Sequence, residues 1–192
     1  MRVGQTAKMK FERQALPDVI LVTPDRHGDA RGFFSETFRA NVYHDAGIIG
    51  PFVQDNHAWS ADAGVLRGLH FQSPPKAQAK LVRCTRGMIL DVAVDIRRSS
   101  QTYGQFVTAE LSAENGQQLF VPEGFAHGYL TLTSDCVVVY KMTEYYAPET
   151  EGGLAWNDPD LGIGWPTVGG SPKLSPKDAE LPDFASFKSP FD

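Results

Sequence analysis

The chain has 192 residues, of which 42% are hydrophobic and 21% charged, and its formal net charge is −5. These values fit a soluble globular protein of one ordinary domain, which buries roughly 70% of the surface its unfolded chain exposes. No apolar run approaches the ~20 residues of a membrane span, Met1 to Phe11 is not followed by a secretory-type apolar stretch, and an acidic chain lacks the basic face that a nucleic-acid polymer requires. A small anion remains compatible, since two or three converging arginines can hold one or two phosphates. The expectation is a cytoplasmic protein, one domain over residues 1–192 with tails at 1–10 and 184–192, with neither a membrane nor a polynucleotide as partner.

In chain order, β-branched and aromatic runs predict strands at Val19–Val22, Phe33–Phe38, Val65–Phe71, Lys80–Cys84, Ile89–Ile96, Phe106–Leu111, Gln118–Val121, Gly128–Leu132 and Val137–Met142. Gly, Pro, Asn and Ser fill the gaps, as in an all-β domain with closely spaced turns. The clearest alternation is Asp91 to Arg97: Val92, Val94 and Ile96 share one face, and Asp91, Ala93, Asp95 and Arg97 the other, so that one face can line a wet cavity. Helical signals are few. Ala40–Ala46 predicts a short helix, and Ser175-Pro176-Lys177-Asp178 carries the serine cap and following proline that open another. Gly152–Pro172 is rich in Pro and Gly but holds Trp156 and Trp165, which predicts an ordered excursion over the surface. Cys84 and Cys136 lie in apolar or β-prone segments without CxxC spacing, which predicts buried free thiols.

Two segments carry more than fold. Gly64 to His70 satisfies the G-x5-H opening of a metal-binding cupin motif, and Gly116, Pro122, Gly124 and His127 satisfy G-x5-P-x-G-x2-H. The chain therefore resembles a cupin, which implies a mainly β fold, a double-stranded β-helix or jelly-roll barrel, with a few short helices. A metal cupin converges three histidines and a carboxylate on one ion. Here Gln72 stands at the second histidine, Pro75 and Lys76 stand where the glutamate would fall, and Thr131 stands at the position of an asparagine. The expectation is no metal and no other cofactor, leaving the two histidines free to move protons.

Further motifs narrow the resemblance. They are Asp29-x-Arg31-Gly32-x-Phe34-x-Glu36-x-Phe38, Gln54-Asp55-Asn56-His57, Arg67-Gly68-Leu69-His70-x-Gln72, Gln78-x-Lys80-Leu81-Val82, Asp91 to Arg97, Pro122 to Gly128, Tyr140-Lys141 before Tyr145-Tyr146, Trp156-x-Asp158-Pro159-x-Leu161-Gly162-Ile163-x-Trp165-Pro166, and Leu174-Ser175-x-Lys177-Asp178. With these in order from Pro17 to about Asp178, the chain resembles the dTDP-4-dehydrorhamnose 3,5-epimerase family. The resemblance implies an isomerase that works without cofactor on a dTDP-4-keto-6-deoxy sugar. A ketone at carbon 4 acidifies the hydrogens at carbons 3 and 5, so a base on one face of the sugar and an acid on the other can invert both. His70 is the natural base, since an imidazole titrates near working pH and a carboxylate partner orients it; by resemblance that partner is Asp178. Tyr140 matches the acid, because a phenol with its ordinary pKa of about 10 stays protonated at pH 7. Lys80 is then the candidate for stabilising the enolate oxygen.

The resemblance also assigns substrate binding to Arg31, Glu36, Gln54, Asn56, Arg67, Lys80, His127, Glu151 and Lys177. Arg31 and Arg67 suit a diphosphate, while Glu36 and Gln54 can pair with base edges. It further implies a homodimer in which Arg31 and Glu36 act on the partner's site. Read without the resemblance, Tyr140 suits a core or interface, Asp178 a helix-dipole partner, Lys80 an outward strand lysine and the binding group a solvated surface. Two functional alternatives stand beside the double epimerase: inversion of a single carbon in a related dTDP-sugar, and a binding-only or metal-dependent cupin.

Overall fold

Alternation between Asp91 and Ile96 resolves into two buried faces. Val92, Val94 and Ile96 are fully enclosed on one side of the strand, and Ile89, Asp91 and Ala93 on the other. A strand covered on both faces belongs in the middle of a sheet, with material packed above and below it. The computed structural model describes residues 9–192, so all but the last two residues of the tail expected at 1–10 lie outside it.

The elements run β1 (Lys10–Arg13), β2 (Ile20–Thr23), β3 (His27–Asp29), β4 (Gly32–Phe34), α1 (Ala40–Asp45), β5 (Gln54–Ser60), β6 (Leu66–Gln72), β7 (Lys80–Arg86), β8 (Met88–Asp95), β9 (Phe106–Ser112), β10 (Gln118–Val121), β11 (Phe125–Thr131), β12 (Cys136–Met142), β13 (Glu151–Gly153) and α2 (Pro176–Ala179). Two antiparallel sheets form the body. One has the order β1-β2-β10-β7-β12-β5 and the other β13-β6-β11-β8-β9, with β3 and β4 standing apart as a hairpin. This is the mainly β, cupin-type jelly roll expected from the motifs.

Three apolar layers hold it. Between the sheets, Val82, Cys84, Leu119 and Val138 of the first meet Ile89, Ala93, Leu111 and Phe125 of the second. Outside the second sheet, Leu69, Phe71, Val92, Val94 and Ala126 are covered by Leu154, Leu161 and Phe191, with Trp165, Phe184 and Phe187 against them. Outside the first, Ile20, Val22, Leu81 and Phe120 are covered by Tyr43 of α1 and Ile48 just after it. Burying a side chain of this size contributes roughly 1.5–3 kcal/mol, so the C-terminal third of the chain is held on by its aromatics. The excursion over 152–172 is thus ordered, with the Trp165 indole N–H donating to the Trp156 carbonyl at 2.7 Å. Both cysteines are buried free thiols.

Some expectations need correcting. Residues 184–192 are not a loose tail: Phe191 bridges to Arg97, and Ser189 and Phe191 are buried. Phe33–Phe38 is not one strand. Only Gly32–Phe34 is extended in a ladder, where it pairs with β3, and Phe33 and Phe34 stay 61% and 70% exposed. β5 was not expected because Gln54-Asp55-Asn56-His57-Ala58-Trp59-Ser60 has no β-branched residue. It forms as an edge strand that, among the described residues, pairs with β12 alone, from Cys136↔Ser60 to Met142↔Gln54. β1, β3 and β13 are likewise short strands that composition does not signal.

Candidate active site

β6 and β11 approach closely because neither carries a side chain at the crossing. A Cβ on Gly68 would lie 2.6 Å from the His127 carbonyl oxygen, and one on Gly128 would lie 2.8 Å from that of Arg67. Gly68 also holds a φ of +111°, a region that other residues rarely adopt. The two glycines thereby fix the strand pair that carries His70 and His127, which are Cα partners across the ladder.

The cavity beside this pair has a volume of about 440 Å³. It is within the usual size for a small-molecule site. His70, Arg67 and His127 line it from one sheet, Lys80 and Tyr140 from the other, and Lys177 and Asp178 from α2. His70 Nε2 lies 2.5 Å from Asp178 Oδ1. An ionised carboxylate only accepts, so Nε2 carries the hydrogen and Nδ1 keeps a lone pair. Asp178 is only 4% exposed, and its backbone N–H donates to the Ser175 hydroxyl at 3.1 Å, which caps α2 and sets the carboxylate's direction. Burial lowers the His70 pKa from its ordinary 6.5; Asp178 acts against this, Lys80 acts with it, and the net shift is downward. The imidazole is therefore neutral near pH 7 and competent to accept a proton.

Lys80 is buried, and its ammonium donates to the His70 carbonyl at 3.4 Å, reaching across from the facing sheet. Burial pushes its pKa down to about 8, with Asp91 and Glu151 holding it up. It still carries most of its charge at pH 7, in a site where a fixed charge acts strongly. His127 Nε2 lies 2.8 Å from Asp91 Oδ1, a second His–Asp pair, in which sequence reasoning gave His127 a substrate-binding role and Asp91 none. Its signal was present: a charged residue in the middle of an apolar strand, on the same face as Ala93.

Of the remaining expected residues, Glu151 joins the cavity through Lys177, at 2.5 Å, and accepts from the Tyr146 hydroxyl at 2.8 Å. Burial raises the Glu151 pKa, but the bonds from Lys177 and Tyr146 outweigh it, and the carboxyl sits below its ordinary value. Asn56 is the ladder partner of Tyr140, and Gln54 donates to Asn56 at 2.9 Å; neither lines this cavity, but Asn56 lines a second one of about 320 Å³ that Tyr140 also borders. Arg31 and Glu36 are not in the lining. Arg31 is exposed on the β3–β4 hairpin, paired with Asp29, and Glu36 is paired with Arg39.

Gln72 is occupied as well. Its amide donates to the carbonyls of Lys76 and Tyr145 and accepts from the Ala147 N–H, tying two loops to β6. Among the described residues, no group of three or more His, Cys, Asp or Glu side chains is arranged to hold a metal ion.

A profile of the dTDP-4-dehydrorhamnose 3,5-epimerase family matches residues 13–186. The dTDP-4-dehydrorhamnose 3,5-epimerase of Pseudomonas aeruginosa is 51% identical over 178 residues, covering 92% of this chain and 97% of that protein. The crystal structure of dTDP-6-deoxy-D-glucose-3,5-epimerase from Legionella pneumophila, in complex with dTDP-4-keto-L-rhamnose, superposes with a TM-score of 0.90 at 43% identity, covering 94% of this chain and 95% of that one. A 3'-monoepimerase from Streptomyces bikiniensis, in complex with dTDP-quinovose, superposes with a TM-score of 0.84 at 36% identity, covering 90% and 87%.

The lowered basicity of His70 is open to measurement. Its imidazole should titrate below 6.5 in an NMR pH series, and Asp178→Asn should lower the midpoint further by removing the charge that favours the imidazolium. A midpoint above 6.5 in the wild-type protein would contradict the balance described.

Proposed function

The chain belongs to the dTDP-4-dehydrorhamnose 3,5-epimerase family, and we propose that its cavity inverts carbons 3 and 5 of dTDP-4-dehydro-6-deoxy-D-glucose to give dTDP-4-dehydro-L-rhamnose. It is an isomerase acting on a nucleotide sugar. The observation that carries the mechanism is that His70, paired with Asp178, and Tyr140 stand on facing sheets of one cavity. Inversion needs that opposition: a proton leaves one face of the ring and another arrives on the other.

In this reading, His70 Nδ1 takes the hydrogen from a carbon next to the ketone, and the Asp178 carboxylate stabilises the imidazolium that forms. Negative charge passes to the oxygen on carbon 4, where the Lys80 ammonium stabilises it without help from an ion or cofactor. Tyr140 then delivers a proton to the opposite face. The same four groups serve the second carbon once solvent has taken the proton from His70 and returned one to Tyr140. Arg67 suits the diphosphate, Gln54 and Asn56 the nucleoside, and His127, Glu151 and Lys177 the positioning of the sugar.

The whole chain, residues 1–192, acts in this reading as one catalytic domain in the cytoplasm, where thymidine nucleotides are made. Recovery of the activity in a cell-envelope fraction would count against that location. The hairpin supports a homodimer: Arg31 and Glu36 sit away from the cavity of their own chain, beside exposed Phe33 and Phe34, and so are available to a partner's site. Mixing inactive Arg31→Ala with inactive His70→Ala protein should restore part of the activity, whereas no restoration would count against sharing of sites.

The fold alone does not separate double from single inversion, since the Streptomyces bikiniensis 3'-monoepimerase superposes over most of the chain. Turnover of the substrate in deuterated water does. Deuterium should enter at both carbon 3 and carbon 5, and His70→Ala should abolish exchange at both; label at one carbon alone would mark a single epimerase.

A further inference from the structure

The mechanism above gives Asp91 only the part of favouring the charged form of Lys80, yet its burial beside the cavity is costly. It is 0% exposed, Oδ1 is 2.8 Å from His127 Nε2, and Oδ2 has no hydrogen-bond partner among the described residues. A dry carboxylate with one oxygen unsatisfied is a burden on folding, and an aliphatic residue would fill the same stretch of wall without it. Asp95, four residues along, shows what a purely structural aspartate looks like here. Its two oxygens are taken by Arg97, Ser100 and Thr102, and it ties the following turn together. Among the described residues, the Asp91 side chain hydrogen-bonds to His127 alone, and beyond that acts on Lys80 through its charge.

We propose that Asp91 is a positioning residue for the reaction, acting through His127: it fixes the ring plane and its Nε2–H form, so that Nδ1 receives the hydrogen of a sugar hydroxyl. The chemistry follows from the donor inventory. An ionised carboxylate cannot donate, so the hydrogen of the Asp91–His127 bond sits on Nε2, and in the neutral ring Nδ1 is left as an acceptor. His127 lines the cavity, and with Nε2 engaged, Nδ1 is the ring nitrogen left for a ligand. An acceptor there discriminates: it takes a hydroxyl and gives nothing to a ketone oxygen, so the sugar is seated with its carbonyl turned toward Lys80. Two His–Asp pairs with the same bonding thus do different work, one abstracting a proton and the other orienting the ring from which it comes.

The inference rests on the reading of His127 as a residue that positions the sugar, and a double-mutant cycle separates the two. Asp91→Asn, whose amide can donate or accept, should lower kcat/KM by roughly 10–100-fold, the range known for partners that orient metal-bound histidines. His127→Gln should cost a similar factor, and the double variant should be no worse than His127→Gln alone. If Asp91→Asn costs as much in the His127→Gln background as in the wild type, Asp91 does not act through His127 and the proposal falls while the positioning role of His127 stands. Near-normal kinetics of His127→Gln would remove that role, and the proposal with it. The ¹⁵N NMR spectrum of histidine-labelled wild-type protein tests the geometry even if Asp91→Asn does not fold: a His127 signal of the Nε2–H form supports the proposal, and one of the Nδ1–H form overturns it.

Discussion

The contact on which the molecule depends is the 2.5 Å bond between His70 and Asp178, residues 108 apart in the chain. A carboxylate can hold the tautomer of an imidazole on a barrel strand, and the one hydrogen-bonded to His70 does not come from a strand of its sheet. The carboxylate arrives on α2, at the end of the long C-terminal excursion. Much of the packing outside the second sheet can be understood from that placement. Leu154, Leu161, Trp165 and Phe191 bind the excursion to the sheet face, and Lys173 bridges to Val65 and pairs with Asp62. Ser175 then caps α2, and Lys177 pairs with Glu151 across the mouth. Each of these restricts where Asp178 can go.

The second constraint is the facing of two sheets. A single sheet can present several functional groups, but all from one side of a bound sugar. The sandwich sets β6 and β11 on one wall and β7 and β12 on the other, so His70 and His127 oppose Lys80 and Tyr140. In the proposed reading, these two walls bracket the sugar ring. Burial completes the arrangement by moving both titrating groups in the useful direction: His70 becomes harder to protonate, so it is free to accept, while Lys80 is lowered to about 8 and still carries its charge at neutral pH.

How much of this was legible in the sequence differs by residue, for physical reasons. His70 and His127 were readable because glycines at fixed spacing accompany them, and close strand approach demands those glycines. The central strands were readable because burial on both faces imposes continuous apolar runs, as in Val92-Ala93-Val94. β5 was not, since an edge strand facing a polar cavity needs neither branching nor apolarity. Asp178 came only from resemblance: nothing local distinguishes a catalytic carboxylate from one that complements a helix dipole, and its meaning depends on a strand more than a hundred residues away. Arg31 and Glu36 show the opposite limit, recognisable as motif residues yet outside the cavity of their own chain. The C-terminal aromatics were read as a tail because a segment without periodicity gives no sign of the sheet face it will cover.

The central claim is that base and acid stand on opposite walls, and the most direct test is Tyr140→Phe in deuterated water, following exchange and inversion separately by NMR. With His70 intact and the opposite proton donor removed, the account predicts that hydrogen at carbon 3 still exchanges with solvent while inversion falls sharply. Inversion at an undiminished rate, or loss of exchange with folding and substrate affinity preserved, would contradict it.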